Sequence, residues 1–274
     1  MAIFDYQTQG NMAEAIEKHY EVIAKTLHDS FVKGDLDLIK AFGRPFPFNK
    51  ILDLGVMIEE KSDCVKQELE LKKKLSLEIG QSRKQDRFFD LCRFIIHDWG
   101  GIRTFNVDTK RAIIDSFLGE CDKEEKNVSF DYISSLSKVA AFYRPADNFI
   151  YDSRVAYSLN WILLSKDYDG PFFPIPDSQV KAIRDYDLPT ILRLKTKKDK
   201  DIFIDKRKAY SIYCSLIKGV YSSLKKKEGS IIKKYEKDME EYPCLVEMML
   251  YAYARTAVDA IQKLVSVEIK KNNS

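Results

Sequence analysis

Residues 136–161 read LSKVAAFYRPADNFIYDSRVAYSLNW, and this stretch decides the fold class. Apolar residues before Pro145 recur with a helical period, and Pro145 ends that helix because a proline disfavours helical backbone in the residue before it. Asp152 is typical of an N-cap residue, and it opens a second helix that turns Val155 and Leu159 inward. The stretch therefore predicts two helices joined by a short loop.

The same helical period extends to both ends of the chain. From Met12 to Val32, apolar residues recur on one helical stripe, and a last long helix is predicted from Pro243 to about residue 269. The 274 residues include only 11 Gly and 8 Pro, and no segment reads as a glycine-rich phosphate-binding motif. The sequence thus predicts an all-α protein and disfavours a nucleotide-binding α/β fold.

No internal repeat or low-complexity linker divides the chain, so we predict a single all-α globular unit over residues 1–274. No apolar run approaches the roughly 20 residues that a membrane span needs. The first residues, MAIFDYQTQG, have neither the basic nor the apolar region of a signal peptide. We therefore expect a soluble, cytoplasmic protein without a membrane partner.

Cysteine and histidine usage argues against metal chemistry. The 5 cysteines are far apart in the sequence and never form a C-x-x-C pair, which disfavours a disulfide framework or a zinc knuckle. The 3 histidines have no carboxylate or cysteine at a usual ligand spacing. We predict no metal and no cofactor.

The net charge of +3 conceals an asymmetry along the chain. Residues 193–237 contain 15 Lys and Arg against five Asp and Glu, a net of +10, which leaves −7 for the remainder. A surface of this charge attracts polyanions such as nucleic acid. The alternative is a solvated helix face whose lysines serve solubility.

Residues 136–161 resemble the helix-hairpin-helix superfamily of DNA glycosylases, which includes endonuclease III and 8-oxoguanine glycosylase. The second helix of that family's hairpin begins with a lysine followed by two small residues, as at Lys138-Val139-Ala140. A later V-D-x-H/R-V element carries the catalytic aspartate, and Ile150-Tyr151-Asp152-Ser153-Arg154-Val155 is similar to it. The resemblance covers 26 of 274 residues.

The resemblance implies a two-lobed helical architecture with a degenerate helix-hairpin-helix. Residues 85–190 would form the glycosylase-like core, and residues 1–84 with 191–274 would form a packing lobe that carries the basic C-terminal helices. Asp152 would be the catalytic carboxylate, which stabilises the oxocarbenium-like charge as the N-glycosidic bond breaks. Lys138 would be the amine that forms a Schiff base in bifunctional members, provided that it is desolvated enough to lose its proton.

Further residues near the motif are candidates for DNA contacts. Four could bind phosphate groups, namely Arg103, Ser137, Arg144 and Arg154. Glycosylases extrude the target base and hold it against aromatic side chains. The candidates for this base pocket are Trp99, Tyr151, Trp161 and Phe172. DNA is therefore the expected partner.

The chain departs from the family at the hairpin, which normally reads L-P-G-V-G. Residues 133–137 read ISSLS, without Gly or Pro, the connection to Asp152 is shorter, and no cysteine-rich tail indicates an iron–sulfur cluster. Two hypotheses follow. The chain is a DNA glycosylase for a damaged, modified or foreign base, including bases peculiar to phage DNA, or it is a non-catalytic nucleic-acid-binding or protein-interaction module in which Asp152 only caps a helix. For Lys138 itself, the alternative to the catalytic amine is an exposed lysine on a helix.

Overall fold

The computed structural model describes residues 16–43, 46–59, 63–83, 85–168, 170–196, 202–236 and 242–264. These residues form helices and no strand, apart from an isolated bridge between Phe172 and Phe203. The prediction of an all-α protein is thus confirmed for this part of the chain.

Helical segments follow one another along the described residues. The first half contains α1 (Tyr20–Val32), α2 (Leu38–Phe42), α3 (Phe48–Asp53), α4 (Cys64–Ser82), α5 (Asp86–Arg93), a π-helical segment (Phe94–Trp99), a 3-10 turn (Asp108–Lys110) and α6 (Arg111–Cys121). The second half contains α7 (Ile133–Tyr143), α8 (Ser153–Leu164), α9 (Lys181–Asp185), α10 (Leu188–Thr196), α11 (Lys206–Lys225), α12 (Ile231–Glu236) and α13 (Cys244–Leu264).

The two helices predicted from residues 136–161 are α7 and α8. Asp152 is the N-cap of α8, as predicted, and its Oδ1 accepts hydrogen bonds from the backbone N–H of Arg154 at 3.0 Å and of Val155 at 3.1 Å. The inward residues Val155 and Leu159 are buried. Local sequence signals therefore place both helices correctly.

The hairpin expected at residues 133–137 is not there. These residues form the first turns of α7, and the residue before them is the N-cap Tyr132, whose φ of 60° is left-handed. Without Gly or Pro, the ISSLS segment has nothing to interrupt a helix. The backbone amides of residues 135 and 136 bond to the Tyr132 carbonyl, so they do not form the phosphate-binding turn of the family hairpin.

One continuous core joins helices from both predicted lobes. Helix α13 packs along α8, α4 packs along α7, and α11 packs along α1. Buried apolar side chains from residues 16 to 261 belong to a single cluster. Segments that we assigned to different lobes therefore share their packing, and the α7–α8 pair is enclosed by α4 and α13.

Some predicted features lie outside the described residues. These are the first turns of the helix predicted from Met12, the end of the helix predicted to about residue 269, and residues 197–201 and 237 of the basic segment. Across the described helices, none is long and apolar enough to cross a lipid bilayer.

Candidate active site

A cleft of about 90 Å³ opens where α7 and α8 meet α4 and α13. A space of this size holds several water molecules. Four of the ten predicted site residues line it, namely Trp99, Lys138, Asp152 and Arg154. The cleft thus lies at the junction of the segments that we assigned to separate lobes.

Lys138 and Asp152 form an ion pair in this cleft. The Nζ atom of Lys138 lies 3.6 Å from Oδ2 of Asp152, and the two side chains are 8% and 15% exposed. Lys138 also donates a hydrogen bond to the carbonyl of Ser134, at 3.0 Å. Lys138 is therefore a buried lysine, and the interpretation of an exposed helix lysine is wrong.

The loop before Asp152 is fixed by three hydrogen bonds. Ser137 Oγ accepts one from the Tyr151 amide at 3.0 Å, and Tyr213 donates its hydroxyl to the Ile150 carbonyl at 2.7 Å. The Ile150 amide donates to the carboxylate of Glu247. Because both residues before Asp152 are held in this way, the carboxylate has a defined position opposite Lys138.

A second buried ion pair forms the floor of the cleft. Lys72 from α4 donates to Glu247 from α13, and both side chains are at most 3% exposed. Next to them, Trp99 donates its indole N–H to Glu68 at 2.7 Å and packs edge-on against Phe142. Such charges are stable inside a protein only when each is paired and hydrogen-bonded.

The pKa values of the two cleft lysines are shifted in opposite directions. Burial is the largest influence on both pKa values, and it lowers them. At Lys72 the attraction of Glu247 and its neighbours outweighs burial, so the pKa lies above the ordinary 10.5. At Lys138 burial outweighs Asp152, so the pKa lies below 10.5. Lys138 is thus the cleft lysine that more readily becomes a neutral amine.

The absence of a side chain at Gly100 leaves room for the side chain of Lys138. Gly100 ends the π-helical segment, and a Cβ atom there would lie 2.7 Å from the Ile95 carbonyl oxygen and 3.0 Å from Cδ of Lys138. Gly101 follows with a left-handed φ of 72°, as expected for the tight turn at the double glycine. The turn therefore places the backbone at Gly100 close to the aliphatic part of the Lys138 side chain.

Three of the four predicted base-pocket residues do not line the cleft. Tyr151 is 1% exposed and donates its hydroxyl to the Pro174 carbonyl, and Phe172 is fully buried. Trp161 is half-buried against the core and does not line the cleft. Phe172 is therefore a core residue.

The predicted phosphate contacts fall into different environments. Ser137 is fully buried and bonded to Tyr151, so its prediction as a phosphate contact is wrong. Arg144 is 43% exposed and pairs with Asp122 and Asp147. Arg103 is 69% exposed and lies 3.5 Å from Asp98. Of the four candidates, only Arg154 lines the cleft.

The described cations of the basic segment also lie outside the cleft lining. Several are engaged elsewhere on the surface: Lys218 pairs with Asp147, Lys227 with Glu21 and Lys234 with Asp63. None of these described cations therefore contributes charge to the lining of the cleft beside Asp152. Among the described residues, no group of three or more His, Cys, Asp or Glu is arranged to hold a metal ion.

Sequence reasoning missed several cleft residues, although the sequence carries a signal for some of them. Glu247 is the one charged residue in CLVEMMLYAYA (residues 244–254), and an isolated carboxylate on an apolar helix requires a buried partner. Glu68 and Lys72 lie on the same apolar stripe as Val65. The pattern reveals buried charges, but it does not reveal which ones pair.

Comparison with known proteins adds no further constraint on this site. The chain matches no protein-family model, no curated protein and no solved structure. The proposal that follows therefore depends on the residues of the cleft and on the resemblance over residues 136–161.

Proposed function

We propose that this protein is a DNA glycosylase that cleaves the N-glycosidic bond of a damaged, modified or foreign base and leaves an abasic site. The observation that carries the proposal is the buried pair of Lys138 and Asp152, 3.6 Å apart in a cleft that opens to the surface. Both residues occupy the positions that match catalytic residues in the motif. A buried ion pair in a cleft, with a lysine whose pKa is lowered, is an environment in which catalytic groups are often found.

Asp152 would act on the sugar. As the bond between the anomeric carbon and the base nitrogen breaks, its electron pair leaves with the base, and positive charge develops on the sugar. The Asp152 carboxylate would stabilise this charge electrostatically. Water then adds its hydroxyl to the anomeric carbon and its proton goes to the departing base, which completes the hydrolysis.

Lys138 would permit a second route. Its neutral amine could add to the anomeric carbon in place of water, lose a proton, and open the sugar to a protonated imine. Hydrolysis of the imine returns the lysine, whereas elimination of the 3′ phosphate cleaves the strand. The lowered pKa of Lys138 favours the amine form that this route needs.

The first test compares two aspartates in the same structural role. Asp63 caps α4 as Asp152 caps α8, with Oδ1 accepting from two backbone amides, and it lies outside the cleft. We expect Asp152→Asn to abolish base release while DNA binding persists, and Asp63→Asn to leave base release intact. Retained excision in Asp152→Asn, measured in single-turnover assays, contradicts the proposal.

The substrate screen should cover plasmid DNA, chemically damaged DNA and hypermodified phage DNA, with abasic-site formation as the readout. Release from damaged DNA would indicate repair, and release restricted to phage DNA would indicate antiviral defence. Borohydride trapping followed by peptide mapping would separate the two routes. An adduct that maps to Lys138 and is absent from Lys138→Met indicates the amine route, and base release without an adduct indicates direct hydrolysis.

A non-catalytic nucleic-acid-binding or interaction module is the second candidate. It is favoured by the helical conformation of residues 133–137, which removes the phosphate-binding hairpin. In that case Asp152→Asn lowers the free energy of unfolding by about 1 kcal/mol and changes no activity. DNA binding that does not weaken with increasing salt would count against both candidates, since phosphate contacts release counterions.

A further inference from the structure

Two aromatic side chains that the motif does not include line the cleft beside Asp152. They are Phe42 from α2 and Tyr251 from α13. Their ring centroids are 5.2 Å apart with the planes inclined by 36°, and both side chains are half-buried. Part of each ring is therefore accessible from the cleft.

The third aromatic ring of the cleft lining is already engaged. Trp99 is 6% exposed, its N–H bonds to Glu68, and it packs edge-on against Phe142 at 4.9 Å. A base is joined directly to the anomeric carbon, so a base whose sugar faces Asp152 must lie in this same cleft. Phe42 and Tyr251 are the rings left to contact it.

The guanidinium of Arg154 covers the Tyr251 ring. Its Cζ atom is 4.7 Å from the ring centroid, and Nη1 donates a hydrogen bond to the tyrosine hydroxyl. A guanidinium is planar and stacks on aromatic faces much as a nucleobase does. The geometry of this contact indicates that the Tyr251 face accommodates a planar group next to the N-terminus of α8.

Arg154 and Tyr251 also line a wider groove of about 960 Å³ along α2 and α13. The groove wall carries exposed Lys40, Arg255 and Lys263, together with Asp35, Asp37 and Asp259. An Arg154 side chain that left the tyrosine ring would remain beside this groove. The groove therefore offers a position for the backbone of the nucleotide whose base occupies the cleft.

We propose that Tyr251, with Phe42 beside it, is the stacking platform for the extruded base, and that Arg154 exchanges the Tyr251 ring for a backbone phosphate when the base enters. This inference rests on the proposed glycosylase function, because the base in question belongs to the nucleotide at Asp152. The ligand class is a planar nucleobase, bound by stacking that tolerates any base.

Binding of free nucleosides tests the platform without requiring catalysis. Each of the four common deoxynucleosides is added to the protein, and saturation-transfer NMR reports contact with the base protons. We expect transfer with the wild type and with Tyr251→Phe, and a loss of about 5- to 100-fold in affinity with Tyr251→Leu and Phe42→Leu. Tyr186→Leu is the control, because Tyr186 is half-buried but outside the cleft.

Arg154→Ala provides a second test, because the proposal predicts opposite effects of this substitution on the binding of nucleosides and on the binding of duplex DNA. Nucleosides should bind Arg154→Ala at least as tightly as the wild type, while affinity for duplex DNA falls and its salt dependence decreases. Weaker nucleoside binding in Arg154→Ala, unchanged binding in Tyr251→Leu, or no transfer with any nucleoside overturns the platform. Circular dichroism of each variant checks that it is folded.

Excision assays separate this inference from the proposed function. If the wild type releases a base and Asp152→Asn does not, Tyr251→Leu and Phe42→Leu should lower the single-turnover rate constant or the affinity by about 5- to 100-fold. Unchanged excision in both variants overturns the platform and leaves the glycosylase proposal standing. Nucleoside binding that depends on Tyr251, without release of any base, supports Tyr251 as a base-binding surface and contradicts the glycosylase proposal, and with it the assignment of that base to a nucleotide undergoing cleavage at Asp152.

Discussion

Ser137 and Tyr151 form a paired contact that sets the geometry of the cleft. The Tyr151 amide donates to Ser137 Oγ at 3.0 Å, and the residues that follow them in the chain are Asp152 and Lys138. The serine thus ties the start of α8 to the middle of α7. Its role is structural, since it is fully buried.

Ser137→Ala should therefore impair both stability and chemistry. The variant leaves a buried amide at Tyr151 without its acceptor, which costs about 1–3 kcal/mol. Chemical denaturation should show this loss, and borohydride trapping at Lys138 should slow because the lysine and Asp152 are no longer held together. Ser137→Thr retains the hydroxyl and serves as the conservative comparison. Full stability in Ser137→Ala would show that this hydrogen bond does not hold the loop.

The lowered pKa of Lys138 predicts a pH dependence. Only the neutral amine can attack, so the trapping rate should rise with pH and reach half its maximum below pH 10.5. Glu247 favours the charged form of Lys138, so Glu247→Gln should move the rise to lower pH. The measurement is the trapping rate from about pH 6 to about pH 11.5, so that a midpoint on either side of pH 10.5 can be located. A rise centred above pH 10.5 would contradict the assignment.

The same pKa has a consequence for folding. Because the pKa of Lys138 is lower in the folded state than the ordinary 10.5, the unfolded state binds more protons between those two values. The contribution of Lys138 to stability should therefore rise as pH increases through this window. In Lys138→Met, the free energy of unfolding measured by denaturation over the same pH range should lack the part of the pH dependence that Lys138 contributes.

The buried pair of Lys72 and Glu247 should show strong coupling. Lys72→Met leaves the Glu247 carboxylate buried without its partner and should cost about 3–5 kcal/mol. In the double variant Lys72→Met/Glu247→Gln no unpaired charge remains, and the Gln oxygen can still accept from the Ile150 amide. Its destabilisation should be well below the sum of the single losses in a double-mutant cycle. Additive losses would mean that the two groups do not stabilise each other.

Substitution by alanine should have opposite effects on the stability of the protein at two of its glycines. At Gly100 a Cβ would meet two backbone carbonyl oxygens within 2.8 Å, so Gly100→Ala should destabilise the protein by about 1–3 kcal/mol and displace Lys138. At Gly80, inside α4, a Cβ meets nothing within 4 Å, so Gly80→Ala should stabilise the helix by about 1 kcal/mol. Thermal denaturation measures both effects. Equal changes in stability for Gly100→Ala and Gly80→Ala would contradict the close packing at Gly100.

Two buried asparagines allow a similar comparison. Asn160 bonds to both the amide and the carbonyl of Phe173, at 2.9 Å and 2.7 Å. The Asn148 side chain is equally buried and bonds to no described group. Asn160→Ala should cost about 2–3 kcal/mol more than Asn148→Ala in denaturant unfolding, because it leaves two buried backbone groups unpaired. Equal losses would show that Asn160 does not fix the Phe173 loop.

The sequence by itself determined the local structure around the site. The helical period, the break at Pro145 and the N-cap at Asp152 depend on neighbouring residues, so they can be seen in the chain and appear in the structure. The motif also singled out Lys138 and Asp152, which lie on successive helices joined by a short loop. Only short-range geometry is needed to bring such a pair together.

The tertiary structure decided which charges are buried together and which aromatic rings face the cleft. Glu247 and Tyr251 reach the site because α13 packs along α8, and Lys72 reaches it because α4 packs along α7. Conversely, Tyr151 and Phe172 were predicted as pocket residues and are core. Burial depends on which remote helix covers a residue, and an aromatic side chain stabilises a core as readily as it binds a base. That choice is made by packing between distant segments, which no local pattern encodes.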